Sequence, residues 1–258
     1  MDTLIVVENL VKKYGKFVLE VPRAEFGIGL NMVLGPNGSG KTTLLKIIAG
    51  VSKPKKGVVR YLIDGKELSW SEAREKMFLV GDFMSLPNHR VREILREFAS
   101  SPRDVSRVVE VLELEEHLSK RYNELSMGFK KRVQLALAML RDPKILLLDE
   151  PFANVDAFMV PKLARILTDL AKDRVIIVTS HIELDLDISR ILMLDQGRVV
   201  YYGSARELTR FVYSIEIVRD GRRELVSLSD LAKALGASSA KIVRKPLIEV
   251  VKEASKHG

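Results

Sequence analysis

The sequence predicts an α/β fold: a parallel sheet around a nucleotide-type loop, joined to an antiparallel β region and interrupted by an α-helical segment. Three observations carry this. A glycine-rich stretch at 35–43 lies between an apolar run, Leu30 to Leu34, and a helical run, Thr42 to Ala49. The runs Ile145 to Leu148 and Val175 to Val178 are wholly apolar and have the length of buried strands. Between Phe83 and Asn123 the apolar spacing changes to threes and fours, the period of helices.

The loop reads Gly35-Pro36-Asn37-Gly38-Ser39-Gly40-Lys41-Thr42-Thr43: a glycine, four residues, then Gly-Lys-Thr. Strand before and helix after are the context that makes this pattern a phosphate cradle. Glycines let successive backbone N–H groups turn inward toward an anion, and the helix that follows adds its positive end. Lys41 can reach the outer phosphates, and the Thr42 hydroxyl can complete the oxygen shell of a Mg²⁺. A phosphate-loop (P-loop) NTPase core with a nucleoside triphosphate as ligand is therefore expected.

In chain order, strands are expected at Leu4 to Val7, at Lys16 to Val21 ended by Pro22, and at Leu30 to Leu34. Tyr14 follows the first of these, where a ring either stacks on a purine or simply packs. After the helix at 42–49, Val58 to Ile63 with Asp64-Gly65-Lys66 reads as a strand and tight turn. Ser71 to Lys76 reads as a short helix, and Met77 to Val80 as a buried strand leading to Gly81-Asp82. Val91, Ile94, Leu95 and Phe98 share one helical face, and Val105, Val108, Val109 and Leu112 a second. Ser126 is placed to cap a helix running to about Leu140, with Val133, Ala136, Leu137 and Leu140 inward. Ile145 to Leu148 then ends in Asp149-Glu150-Pro151. Beside a phosphate loop, Asp149 can hold Mg²⁺ through its water and Glu150 can polarise an attacking water. His181 closes the strand Val175 to Ser180; His89, His117 and His257 read as surface residues.

Composition narrows the class less. Forty-two basic residues against 34 acidic give +8 in 258 residues, which permits anionic partners without choosing one. There is no cysteine, hence no disulfide framework or thiolate metal site. The start, Met1-Asp2-Thr3-Leu4, lacks the pattern of a secretory signal, and no apolar run approaches the ~20 residues of a bilayer span. A soluble chain is expected.

Taken together, GPNGSGKTT, the LSMG opening of a helix, LLLDEP, Asn154-Val155-Asp156 and the strand-closing His181 resemble the ATP-binding-cassette (ABC) ATPase family in its own order, across about residues 3–203. The resemblance implies two cassettes facing head to tail, each ATP lying between the phosphate loop of one and the LSxG helix of the other. Carried onto this chain, Lys41, Thr42 and Thr43 bind phosphate and metal, Glu150 acts on water, and His181 senses the γ-phosphate. Ser126 and Gly128 belong to the facing half-site, Asp156 lies at the junction, and Tyr14 matches the position that stacks on adenine. One departure concerns metal and coupling: Gly81 stands where the family carries a glutamine. Asp82, one residue on, could supply an oxygen instead. Met127 and Phe129 replace the commoner glycine and glutamine of the signature.

The resemblance implies an ATP-hydrolysing subunit using ATP and Mg²⁺, paired with a second copy or a paralogous ATPase. It would act on separate transmembrane subunits from the cytoplasmic face of the cell membrane, with no nucleic acid expected. The spelling LSMGFKKR favours export; the alternative is a soluble ABC-type ATPase linked to iron–sulfur assembly or nucleic acid. Expected divisions are an ATPase domain at 1–203, with a helical subdomain at about 83–140, and a small α+β extension at 204–258. That extension carries 11 basic and 7 acidic residues and suggests a hairpin around Asp220-Gly221, a helix at Ser229 to Leu235, a strand at Lys241 to Arg244 and a last helix after Pro246.

Overall fold

The computed structural model describes residues 3–181 and 187–205 and three further strands at 213–219, 222–227 and 239–244. The chain opens with a long hairpin, β1 (Leu4–Tyr14) and β2 (Phe17–Gly27), followed by β3 (Gly29–Leu34) and α1 (Lys41–Ile48). β1 and β2 run well past the lengths expected, and Pro22 does not end the strand. The ladder pairs Glu8 with Arg23 and Leu10 with Val21, passing over Asn9 and Pro22, and Asn9 takes a φ of 50°. A proline, which has no N–H to give, sits where the ladder asks for none.

β4 (Lys56–Ile63) and β5 (Lys66–Leu68) form the next hairpin, with positive φ at Asp64 and Gly65, as a two-residue turn of this hand requires. α2 (Trp70–Glu75) follows, capped by a Ser69–Glu72 box, then β6 (Met77–Val80). Three helices fill the middle: α3 (Val91–Phe98), α4 (Pro102–Leu112) and α5 (Met127–Arg141). β7 (Ile145–Leu148), α6 (Met159–Leu170), β8 (Val175–Ser180), β9 (Ile188–Asp195) and β10 (Arg198–Ser204) complete this part.

All ten of these strands belong to one sheet, in the order β5-β4-β1-β2-β10-β9-β3-β8-β7-β6. β9, β3, β8, β7 and β6 are mutually parallel, whereas β5, β4, β1 and β2 are antiparallel. β10 joins the halves, antiparallel to β9 and touching β2 at the single pair Arg198 and Glu20. The expected fold class is thus observed, its two β regions fused through β10.

Both faces of the parallel part are buried, which is why β7 and β8 read as unbroken apolar runs. Ile145 and Leu147 pack with Leu44, Leu45 and Ile48 of α1. Leu146 and Leu148 pack on the opposite face with Leu95, Leu112 and Leu137 of the helical segment. Val91, Ile94, Leu95, Val108, Val109 and Leu112 are buried as expected, but Phe98, Val105 and Leu140 are only half-buried. Among the described residues no helix is long and apolar enough to cross a membrane.

A second sheet contains β11 (Tyr213–Arg219), β12 (Arg222–Ser227) and β13 (Ser239–Arg244), antiparallel in the order β12-β11-β13. Its first two strands are the hairpin expected around Asp220-Gly221. The expected helices at Ser229 to Leu235 and after Pro246 lie outside the described residues.

Tyr61, on β4, ties this frame to α1: its hydroxyl donates to the Ile48 carbonyl at 2.5 Å, and burial pushes its phenol up to about 12. Tyr61→Phe leaves that helix-end carbonyl unpaired and is expected to cost about 1–2 kcal/mol, read as a lowered urea midpoint with unchanged slope.

Candidate nucleotide-binding site

Register brings the site together. β3 pairs with β8 so that Leu34 lies beside Ser180, and β7 pairs with β8 so that Leu148 lies beside Val178. Val80 of β6 lies beside Leu148. The residues that follow these strands, Gly35, Gly81, Asp149, Glu150 and His181, therefore leave the sheet at one edge, the carboxyl edge where open α/β sheets bind ligands.

Gly35 is required by a close approach: a Cβ there would run into the Leu194 carbonyl and the Ser39 hydroxyl. Gly40 is required by conformation, capping α1 with a φ of 106°. A cleft of about 430 Å³ lies over this loop, lined by Tyr14, Phe17, Asn37, Gly38, Gly40, Lys41, Thr42, Thr43 and Glu150. Tyr14 is half exposed there, its hydroxyl 3.1 Å from the Ser52 hydroxyl and the Lys12 ammonium 5.0 Å from its ring centre.

The polar groups under the cleft form one connected set. The buried Lys41 ammonium donates to the carbonyls of Gly35 at 2.8 Å and Pro36 at 3.2 Å and lies 3.2 Å from Glu150 Oε1. His181 Nδ1 lies 2.9 Å from Glu150 Oε2. The Thr42 hydroxyl donates to Asp149 at 2.8 Å to Oδ2 and 3.0 Å to Oδ1. Thr179, fully buried on β8, donates to Asp149 Oδ1 at 2.7 Å and accepts from the Glu150 N–H at 2.9 Å. The sequence does not single out Thr179, because a threonine in an apolar strand carries no spacing signal.

Ser126, Gly128 and Asp156 are absent from the lining of this cleft. Ser126 is exposed and caps α5, accepting from the Phe129 N–H at 3.4 Å. Gly128 is buried, and a Cβ on it would collide with the Asn154 carbonyl, so this glycine is demanded by packing as well. Asp156 accepts from Arg132 at 3.0 Å.

Two expectations need correction. Asp82 does not turn toward Thr42 and Asp149; its carboxylate lies 3.3 Å from the Lys131 ammonium. His117 is not a plain surface residue either. Its ring stacks on Phe129 with centroids 3.7 Å apart, and the Arg132 guanidinium lies 4.6 Å from the Phe129 centroid. Burial, helped by the charge of Lys120, lowers the His117 pKa. The sequence hid this contact because it joins a short turn to α5 across nine intervening residues.

At Gly81 the space of a side chain is taken. A Cβ would stand 2.7 Å from the Phe83 ring and 3.0 Å from the Asp149 Cβ. The Gly81 N–H donates instead to Gln134 Oε1 of α5 at 3.0 Å, and Gln134 Nε2 donates to the Tyr122 hydroxyl at 2.8 Å.

Comparison with known proteins agrees with this geometry. The family model described as ABC transporter matches residues 29–153. A sulfate/thiosulfate import ATP-binding protein of Rhodopseudomonas palustris is 35% identical, over 92% of this chain and 76% of its own. This chain belongs to the ABC transporter ATP-binding family. A solved ATP-binding subunit of an ABC transporter shares the fold with a TM-score of 0.71 at 22% identity, over 98% of this chain and 99% of that one. A dimeric ATP-binding cassette bound to ADP and Pi matches with a TM-score of 0.66 at 24% identity, covering 78% of this chain and 98% of that one. As a member of this family the ABC protein is an ATPase, and it binds ATP.

Thr179→Val, nearly isosteric, removes both hydrogen bonds at the fully buried end of β8. It is expected to lower the unfolding free energy by about 1–3 kcal/mol in denaturant titration, because the Glu150 N–H loses its acceptor.

Proposed function

We propose that this ABC ATPase is the engine of a transporter whose membrane-spanning parts are separate chains, and that two copies close head to tail on ATP at the cytoplasmic face of the membrane. The observation that carries the reading is the Glu150 carboxylate held between Lys41 and His181, beside the Thr42–Asp149 pair. The backbone amides of Gly35 through Gly40, with Pro36, Asn37 and Ser39 between, would wrap the β-phosphate, and Tyr14 would stack on the adenine. Lys41 would exchange its bonds to the loop carbonyls and Glu150 for bonds to the outer phosphates. That exchange frees Glu150 to take a proton from the attacking water, while His181 orients the γ-phosphate.

The donor set at Thr42 and Asp149, a hydroxyl and a carboxylate, fits Mg²⁺, which takes one or two protein oxygens and completes its shell with phosphate and water. Bound there, Mg²⁺ would neutralise charge on the phosphates. Asp82 is left out of this set by its pairing with Lys131.

Two features support the paired state. Ser126 and the first amides of α5 form an anion-seeking helix start that the chain's own cleft does not use. Near Asp156, Phe158 is 97% exposed, an aromatic surface that a second copy would cover. Residues 1–203 would form the ATPase domain, and 204–258 an extension of separate role. The R. palustris relative is named for import, whereas LSMGFKKR favours export. Uptake by vesicles rebuilt with its membrane subunits, ATP supplied on one side only, decides between the two.

Glu150→Gln is expected to slow steady-state hydrolysis by at least ~10²-fold and to leave an ATP-held dimer visible by light scattering; unchanged turnover removes Glu150 from its role. Ser126→Arg is expected to abolish turnover while the single chain still binds ATP. Loss of that binding would mean the facing half-site is misassigned.

A further inference from the structure

Lys131 is assigned to nothing above, yet its environment is unusual. It lies on the first turns of α5 with a side chain only 4% exposed, and a lysine is almost never buried without partners. Its ammonium has three N–H groups and meets three acceptors on two other segments. These are the Glu150 carbonyl at 2.8 Å, the Ala153 carbonyl at 3.4 Å and Asp82 Oδ1 at 3.3 Å.

The first of these bonds matters because of the backbone it holds. Glu150 has a φ of 48°, in the left-handed region that a glutamate occupies only when its surroundings enforce it. Its N–H is fixed by Thr179 on one side, and its carbonyl by Lys131 and the Ala153 N–H on the other. This conformation aims the carboxylate at Lys41 and His181. Release of the carbonyl frees the peptide to relax and swings the carboxylate away. Asp82, 57% exposed on the turn after β6, supplies the opposite charge beside the buried ammonium.

We propose that Lys131 is a positioning residue for hydrolysis: one cation on α5 clamps the Glu150 turn in its strained conformation and ties it to the Gly81–Asp82 turn. The inference rests on the reading of Glu150 as the group that acts on water. It adds a residue of α5 that does not line the cleft and acts through the backbone of Glu150.

The test uses the full chain and ATP. Lys131→Met, of similar length but without N–H groups, is expected to lower kcat by ~10-fold or more while KM for ATP stays within ~3-fold. A purely structural role would lower the melting temperature and leave kcat per folded molecule alone. Because the chain has no cysteine, Lys131→Cys can be alkylated with 2-bromoethylamine while unfolded, then refolded, with wild type taken through the same cycle. The resulting side chain restores the ammonium at nearly its original reach, and kcat is expected to recover. Asp82→Asn, a surface change that folds even if the buried variants do not, is expected to give a smaller drop in kcat. Unchanged kcat in Lys131→Met, or in Asp82→Asn where Lys131→Met does not fold, or no recovery on alkylation when the wild-type control recovers, overturns the proposal. A loss in Lys131→Met without one in Asp82→Asn overturns the tie to the Gly81–Asp82 turn. Glu150→Gln measured alongside separates the two readings: if it retains turnover, the reading of Glu150 fails; if it loses turnover while Lys131→Met does not, this inference alone fails.

Discussion

One carboxylate, Asp149, joins three parts of the chain that the sequence holds far apart. It accepts from Thr42 at the start of α1 and from Thr179 at the end of β8, and its own N–H donates to the Val80 carbonyl of β6. The two hydroxyl bonds to the carboxylate are charge-assisted, and the Thr179 bond is fully buried, so they are worth more than exposed neutral ones. They form only because β6, β7 and β8 are parallel and in a register that ends them level. A slip of one residue in any pair would turn Asp149 or Thr179 to the other face of the sheet and break the set. Parallel pairing of β7 thus does more than bury leucines. It is the condition for a phosphate loop, two carboxylates and a histidine to share one edge.

Much of this fold could be read from the chain because the local signals were unambiguous. Ile145 to Leu148 has the length and composition of a buried strand, and the glycines of 35–40 mark a turn. The structure departs from the local pattern where tertiary pairing overrules a local rule. Proline cannot donate to a ladder, so Pro22 predicts a strand end, but the ladder skips Asn9 and Pro22 and the strand runs on to Gly27. The spacing predicts Leu140 inward, yet α5 is buried almost all round from Lys131 to Ala138 and emerges before residue 140. An amphipathic template assumes one wet face, and the middle of α5 has none.

The site divides in the same way. Lys41, Thr42, Asp149, Glu150 and His181 were legible because their chemistry is tied to a fixed place beside a strand end. Thr179, Gln134 and Lys131 were not. Each is a polar residue on an otherwise buried element, and its partner is a backbone group or a carboxylate of a distant segment. One clue was present: Lys131 and Gln134 sit three residues apart on a helix that buries its surroundings, and buried polar residues three apart share a face.

That shared face has a consequence for the turn after β6. Where the family carries a glutamine, this chain has glycine, and the Phe83 ring occupies the space, with the Lys46 ammonium 4.5 Å from its centre. A glutamine nevertheless reaches this turn, from α5: Gln134 binds the Gly81 N–H, and Lys131 pairs with Asp82 next to it. Two adjacent residues of the turn are therefore bonded to two residues of one helix face. A side chain reaching out from the turn could report on the metal independently of α5, but a turn held this way cannot shift without breaking a buried hydrogen bond and a partly buried ion pair. The same helix begins at Ser126 and carries the cation that holds Glu150. In this chain α5 and Glu150 are joined by direct bonds, and the turn after β6 is tied to the same helix.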